Sequence, residues 1–367
     1  MQVLNRFLDA VIMALICAYS FVSESGWGIA ADIPEKMTML LLLFGIISFF
    51  RHRYSAFKLP GWGVLFVLLS FIYVPYAFWN SWHGATYLLS FVCIYIFSKF
   101  IVTEATIRFS SIAIGFIGLT ILCIYTYGTT LSGWNDNGIA ITGFFCYCYY
   151  TIYLAIRKGR SLWRIVGLIT IAYAVLLFST DCRSASIFTA IMIIGVISPK
   201  SVKKIVSQRK YNLLILNIPL IVSAIIILIG NSDIVADLET WSQETLEKSA
   251  FNGRDTIWTT SFKMLSMSGY LGVGKFIVNY HNSCIAILTT FGILGYIGWI
   301  WCLQKLINTL AKYAYDKIVL GCITAFIVIY LQQSFDLGLV SEYPNLIPYM
   351  ILGIAFGRVH TLCVKLN

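Results

Sequence analysis

LLILNIPLIVSAIIILIG, residues 213–230, contains no charged residue. As a helix rising about 1.5 Å per residue, a run of this length nearly matches the roughly 30 Å of hydrocarbon in a bilayer. Working outward from it, apolar runs of about 17 to 22 residues recur along the chain. Twelve candidate spans are predicted near 7–23, 37–50, 62–79, 85–102, 109–127, 138–156, 165–180, 185–199, 213–230, 283–302, 317–335 and 345–358, of which the second, eighth and last are short. The composition agrees: 59% of residues are hydrophobic, 11% are charged, and the mean hydropathy is +0.82, far from the values of soluble domains. Continuous apolar runs exclude a membrane barrel, whose strands alternate polarity over about ten residues. The fold class expected is all-α: a polytopic integral membrane helical bundle with one large outer loop.

Basic residues orient this bundle. With both termini cytoplasmic, all but six of the 26 lysines and arginines fall on the inner side. The six on the opposite side are Lys36, Arg183, Lys248, Arg254, Lys263 and Lys275, alongside most of the acidic residues. The net charge of +10 is therefore mainly a topology signal. A nucleic-acid partner is not expected, because no basic patch is interleaved with stacking aromatics outside the spans. Arg6 before the first apolar run resembles a signal sequence, but the many later spans favour an uncleaved anchor. Most of the ten cysteines fall inside spans, where they act as small apolar residues. Cys182 and Cys284 lie nearer the outer face, yet nothing in the sequence brings their Cα atoms to disulfide distance. No pair of cysteines has metal-site spacing.

One segment breaks the rhythm of short connections. Residues 231–282 form the long outer loop between spans nine and ten, separating membrane segments 1–230 and 283–367 of what reads as one membrane domain. The spacing of Ile234, Leu238, Trp241 and Leu246 predicts an amphipathic helix over 233–249. Asn252-Gly253 marks a turn, Asp255 is placed to N-cap a second helix through Met267, and Gly269, Gly272 and Gly274 end it.

The chemistry-bearing residues cluster here. His281 is one of only four histidines, and it shares the outer side with Arg254 and Arg183. A titratable base beside exposed cations at the mouth of a membrane bundle points to chemistry on an anionic, lipid-borne substrate. The blander reading of His281 is an interfacial polar residue closing a helix end. Asn282 and Ser283 follow it as a cap for span ten would, and the positive end of that helix favours the neutral imidazole that accepts a proton. Arg183 either pairs with Asp181 in a short turn or faces substrate. Arg254 stands at a helix start, where its guanidinium and nearby backbone N–H groups suit a phosphate. Lys263 and Lys275 are either solvated loop lysines or assisting cations. Trp134 and Asp136, in Trp134-Asn135-Asp136-Asn137, form either an ordinary turn or a sugar-stacking and hydroxyl-binding loop. His83, His52 and His360 have no comparable surroundings.

These residues together resemble a known family. Asn252-Gly253-Arg254-Asp255-Thr256-Ile257-Trp258, then Gly272-Val273-Gly274, then His281-Asn282-Ser283 followed by Gly292-Ile293-Leu294-Gly295, is similar in order and spacing to the signature block of the bacterial O-antigen ligase and polymerase superfamily. Arg183-Ser184-Ala185 resembles that family's other outer-face arginine element. The resemblance covers about 50 residues closely, together with the span layout. Cys284 and Ile285 depart from the larger polar or aromatic residues of many members, and the stretch from Gly274 to His281 is compact.

What the resemblance implies is a metal-independent, cofactor-free membrane glycosyltransferase of the GT-C-like type in a bacterial inner membrane, with its active site periplasmic. The donor would be a saccharide on a polyprenyl (undecaprenyl) diphosphate. His281 would be the catalytic base, Arg254 and Arg183 would bind the diphosphate, and Lys263, Lys275, Asn282, Trp134 and Asp136 would be further substrate contacts. Repeat-unit polymerisation for a surface polysaccharide, lipopolysaccharide or capsule, is the expected activity, with a flippase and a chain-length regulator as partners. The alternatives are a ligase that transfers the glycan to lipid A-core, or a transporter of the same lipid-linked saccharide.

Overall fold

The computed structural model describes residues 2–23, 33–51, 57–59, 61, 64, 83–127, 136–156, 163–180, 182–229, 232–246, 253–274, 279–341 and 344–366. Among them lie fourteen helices and no strand: α1 (Gln2–Val22), α2 (Ile33–Arg51), α3 (His83–Ser98), α4 (Glu104–Tyr127), α5 (Asp136–Ile156), α6 (Trp163–Ser179), α7 (Arg183–Ile197), α8 (Pro199–Val206), α9 (Arg209–Ile229), α10 (Asp233–Leu246), α11 (Arg254–Met267), α12 (Ser283–Ala311), α13 (Lys317–Gln332) and α14 (Ile347–Leu366). Every predicted span has a helix over most of its length except 62–79, which lies outside the described residues apart from residue 64.

Four helices among the described residues, α4, α5, α9 and α12, are each long and apolar enough to cross a membrane, and six shorter apolar stretches accompany them. Burial separates inner helices from outer ones. The apolar windows of α5 and α12 are 89% and 83% buried, those of α4 and α9 only 33% and 28%. The outer helices therefore expose Phe109, Phe116 and Leu228, side chains that a water-facing surface would avoid and lipid tails would cover. Around α5 pack α4, α7 and α13, while α14 lies between α3 and α13. Gly353 and Gly357, one turn apart on α14, permit the approach to α3, since a Cβ on either would stand 2.6 Å from an atom of Phe97. At one end of the bundle Asp316 caps α13 by accepting from the amides of Ile318 and Val319, and it takes two bonds from Arg358 of α14 at 2.8 and 3.1 Å.

Two predicted spans differ from expectation. The eighth turns by 94° after Ile197, at Ser198-Pro199, and continues as the short basic helix α8. Proline at the first position of α8 fits a helix start, where its missing N–H costs nothing. The tenth breaks at Gly292, whose φ of 70° and ψ of −172° are essentially reserved to glycine. Residues 270–274 fill the break. Val273 and Gly274 donate to the carbonyls of Thr289 and Thr290 at 2.8 and 3.0 Å, and Ile293 donates to Tyr270 at 3.1 Å. Backbone groups freed by the break are thus paired again, as a low-dielectric setting demands. Beyond Gly292, residues 293–311 still rise about 28 Å, enough to cross the hydrocarbon.

Within residues 231–282 the described parts hold helices α10 and α11, the first where the amphipathic pattern predicts it. The second helix starts differently from the expectation: Gly253, at φ 73°, occupies the cap position with no side-chain cap, and Asp255 sits inside the first turn. There its charge still complements the helix dipole. At the far end, Gly269 donates to Ser266 and Tyr270 to Leu265, the paired bonds of a Schellman motif with glycine in the left-handed position.

Candidate active site

Four separate stretches converge on one carboxylate. Asp336 follows the last turn of α13 and is 3% exposed, whereas Arg254 at the start of α11 and His281 just before α12 are 17% and 22% exposed. Asp336 is therefore an interior hub, and the two other side chains form its open lip. Oδ1 of Asp336 lies 3.6 Å from Arg254 Nη2 and 3.8 Å from His281 Nδ1. Oδ2 accepts from Ser184 Oγ, from Gln332 Nε2 at 3.2 Å and from the thiol of Cys182 at 4.0 Å. Gln332 also donates to Ser184 at 3.1 Å.

Each lip residue is held by local structure that the sequence dictates. Arg254 and Trp258 are four apart, so they share a face of α11. The fully buried Trp258 donates its indole N–H to the Tyr280 carbonyl at 2.7 Å, which ties α11 to the residue preceding His281. His281 adopts φ 47°, unusual for a residue with a side chain, and its amide is taken by Asn279 Oδ1 at 3.3 Å. Asn282 then caps α12, accepting from Cys284 and Ile285 at 2.9 and 3.1 Å. Its amide group donates to the carbonyls of Pro219 and Ser334 at 2.8 and 3.2 Å. Ser283 donates to Gln333 and Gln333 donates to Gln332, so one polar chain runs from the start of α12 to the carboxylate.

Among the described residues, Asp336 is the carboxylate within 4 Å of Arg254 and His281. The Arg254–Asp336 separation exceeds hydrogen-bonding distance, and Arg254 Nε is buried without a hydrogen-bond partner among the described residues. Burial lowers the Arg254 pKa from its usual value, and the charge of Arg183 adds to that, while Asp336 pulls the other way. Arg183, exposed at the first position of α7, is thus near enough to repel Arg254. A guanidinium beyond hydrogen-bonding distance of its carboxylate, with a buried N–H unspent and a second guanidinium near enough to be felt, suits an oxyanion ligand. Burial, and next the Asp336 charge, push the Cys182 thiol up to about 11, so it stays a neutral donor. Nδ1 is the ring nitrogen that His281 turns toward Asp336.

Not every predicted site residue arrives here. Asn282 is fully buried with its amide group spent on four internal bonds, so its role is capping rather than substrate contact. Lys263 is exposed nine residues beyond Arg254, which places it about 180° around α11, on the face away from the site. Lys275 and Trp134 lie outside the described residues; Asp136 begins α5, and its side chain also lies outside them. Cys182 and Cys284 are free thiols with separate partners, Asp336 for the first and Tyr330 for the second. Among the described residues no group of three or more His, Cys, Asp or Glu side chains is placed to hold a metal ion. Asp336 and Gln332 were not singled out by the sequence reading. The signal was present in Gln332-Gln333-Ser334-Phe335-Asp336, a polar run closing an apolar helix, where buried polar groups usually belong to a site.

The class these features define is an all-helical chain with several helices able to cross a membrane and a charged cluster beside the N-terminus of a broken helix. No family model matches the chain, and no curated protein is detectably similar to it in sequence.

Proposed function

We propose that this chain is an inner-membrane glycosyltransferase that joins saccharide repeat units carried on polyprenyl diphosphate, acting at the outer face of a bundle of about twelve spans with a GT-C-like layout. The observation that carries the reading is the cluster in which Asp336 holds Arg254 and His281 within 4 Å while a buried N–H of Arg254 stays unpaired. A sugar on a lipid diphosphate already has a good leaving group, so catalysis needs charge neutralisation and a base more than a metal-generated nucleophile. In the proposed step an acceptor hydroxyl oxygen attacks the anomeric carbon and the bond from that carbon to the diphosphate oxygen breaks. The hydroxyl proton passes to His281 Nε2, and the diphosphate leaves between Arg254 and Arg183. Direct attack inverts the anomeric centre. Asp336 orients the imidazole and keeps the charge of Arg254 in place, as buried carboxylates do beside histidine bases.

A second reading has its own support. The break at Gly292 and a buried carboxylate next to a helix N-terminus are features of carriers as well, which favours a transporter of lipid-linked saccharide as the alternative. A ligase that delivers the glycan to lipid A-core shares all the chemistry above and differs in the acceptor. Deletion of the gene separates the three. Loss of polymerase leaves surface lipid bearing a single repeat unit on electrophoresis, and loss of ligase leaves bare core with long chains on the carrier. Loss of a transporter leaves unpolymerised repeats on the cytoplasmic side. Either of the last two outcomes overturns the polymerase reading.

A further inference from the structure

At the sharp turn between α7 and α8 the chain presents five cations in eleven residues, Lys200, Lys203, Lys204, Arg209 and Lys210, all exposed. No acidic residue occurs from 184 to 232. The local fold organises this charge. Lys200, Lys203 and Lys204 stand at i, i+3 and i+4, so they share one face of α8. Val202 and Val206 lie on the opposite face, and Val206 is 1% exposed against the bundle.

The elbow is also fixed in position. Asn212 donates to the Val206 carbonyl at 2.7 Å and to Asn308 of α12 at 2.7 Å, and Gln304 of α12 donates to the Arg209 carbonyl at 3.2 Å. Its surroundings mark an interfacial level. Lys210 lies over the ring of Tyr211 at 5.1 Å, and Lys305 lies over Trp301 at 5.2 Å, with both aromatics partly exposed. Aromatic rings beneath lysines are what membrane boundaries select, since the ring sits at headgroup depth and the ammonium reaches phosphate. Ile205, exposed at the edge of α8, offers an apolar contact to acyl chains.

We propose that the α7–α8 elbow is a binding site for anionic phospholipid headgroups, separate from the Asp336 cluster, with Lys200, Lys203 and Lys204 as the phosphate-binding stripe. The site rests on the membrane placement of the bundle and is independent of glycosyl transfer. Lysines act here as point charges on flexible stems, which suits mobile headgroups better than one fixed ligand.

The test uses the full-length protein purified in neutral detergent and titrated with phosphatidylglycerol or, in parallel, phosphatidylcholine, with retained lipid counted by native mass spectrometry. Wild type retains phosphatidylglycerol preferentially, and the preference shrinks as salt is raised. The triple change Lys200→Gln, Lys203→Gln, Lys204→Gln weakens phosphatidylglycerol retention by about a hundredfold, the sum of three surface lysines. The matching triple change to arginine retains it. Where the glutamine triple fails to fold, Lys203→Gln alone gives a drop of about fivefold. Equal retention of the two lipids by wild type, or an unchanged preference in a folded glutamine variant, overturns the proposal. Because lipid is counted directly, an inactive transferase with normal lipid preference would sink the catalytic reading and leave this one standing.

Discussion

Replacing Gly292 by alanine probes the junction between the 270–274 stretch and the broken helix α12. A Cβ at this position would stand 2.5 Å from the carbonyl oxygens of both Tyr270 and Leu271, and neither is a side-chain tip able to swing aside. From the other side of the interlock, a Cβ on Gly272 would meet Thr290 O at 2.6 Å. The 270–274 stretch must therefore withdraw in the alanine variant. Three backbone hydrogen bonds go with it, each contributing about 1 kcal/mol. Alanine in this glycine-only region of φ and ψ adds roughly 1–3 kcal/mol of strain. Their sum, about 4–6 kcal/mol, is a large part of the 5–15 kcal/mol typical of a folded domain. The assay is amide exchange followed by mass spectrometry on detergent-purified protein, alongside its thermal midpoint. Val273 and Gly274 should lose their protection, and the midpoint should fall by several degrees. Gly167→Ala is the control, because that helical glycine has open space around its Cβ position and alanine there should be neutral or stabilising by up to ~1 kcal/mol. Full protection at Val273 and Gly274 in Gly292→Ala would refute the interlock.

Other changes test the site. Asp336→Asn keeps the size and removes the charge, so transfer by purified protein should drop roughly 10- to 100-fold with helix content intact; wild-type rates would exclude Asp336 as the positioning hub. Asn282→Ala removes a cap and strands two buried carbonyls, which predicts destabilisation of about 2–5 kcal/mol by thermal melting. A stability loss below 1 kcal/mol would mean those bonds are replaced. Arg254→Lys retains the charge but loses the fork toward the departing diphosphate, so kcat/KM should fall about tenfold with kcat sharing in the loss; an unaltered kcat/KM would reduce Arg254 to a general field effect.

The fold class was legible because apolar run length is a crude quantity that many residues determine together. Helices α10 and α11 were legible for the same reason, since Ile234, Leu238 and Trp241 repeat at helical spacing and Asn252-Gly253 punctuates the chain. The break at Gly292 was hidden, because residues 283–302 read as one apolar run and a glycine within it carries no signal of a distant loop entering the helix. The cap of α11 was misplaced for a related reason. Asp255 satisfies the usual cap preference, but glycine takes at least cost the φ of 73° by which the chain enters the helix. At the site, Arg254 and His281 were visible as basic groups on the side expected to hold few cations. Asp336 was absorbed into the end of an apolar run, and its importance depends on Ser184, Arg254 and His281 arriving from other parts of the chain. Contacts across 152 positions, as between Ser184 and Asp336, leave no local pattern to read.

Glycosyl transfer by the cluster around Asp336 is tested most directly by reconstitution. Purified wild type and His281→Ala are placed in liposomes with a polyprenyl-diphosphate-linked oligosaccharide, and both lipid-linked products and released polyprenyl diphosphate are followed by mass spectrometry. Wild type should yield lipid-linked chains of two or more repeats with one polyprenyl diphosphate released per linkage formed, and His281→Ala should be slower by roughly 10²–10⁴-fold, the contribution of a positioned base. Movement of unaltered substrate across the bilayer with no new linkage, or equal chain growth in the two proteins, would contradict it.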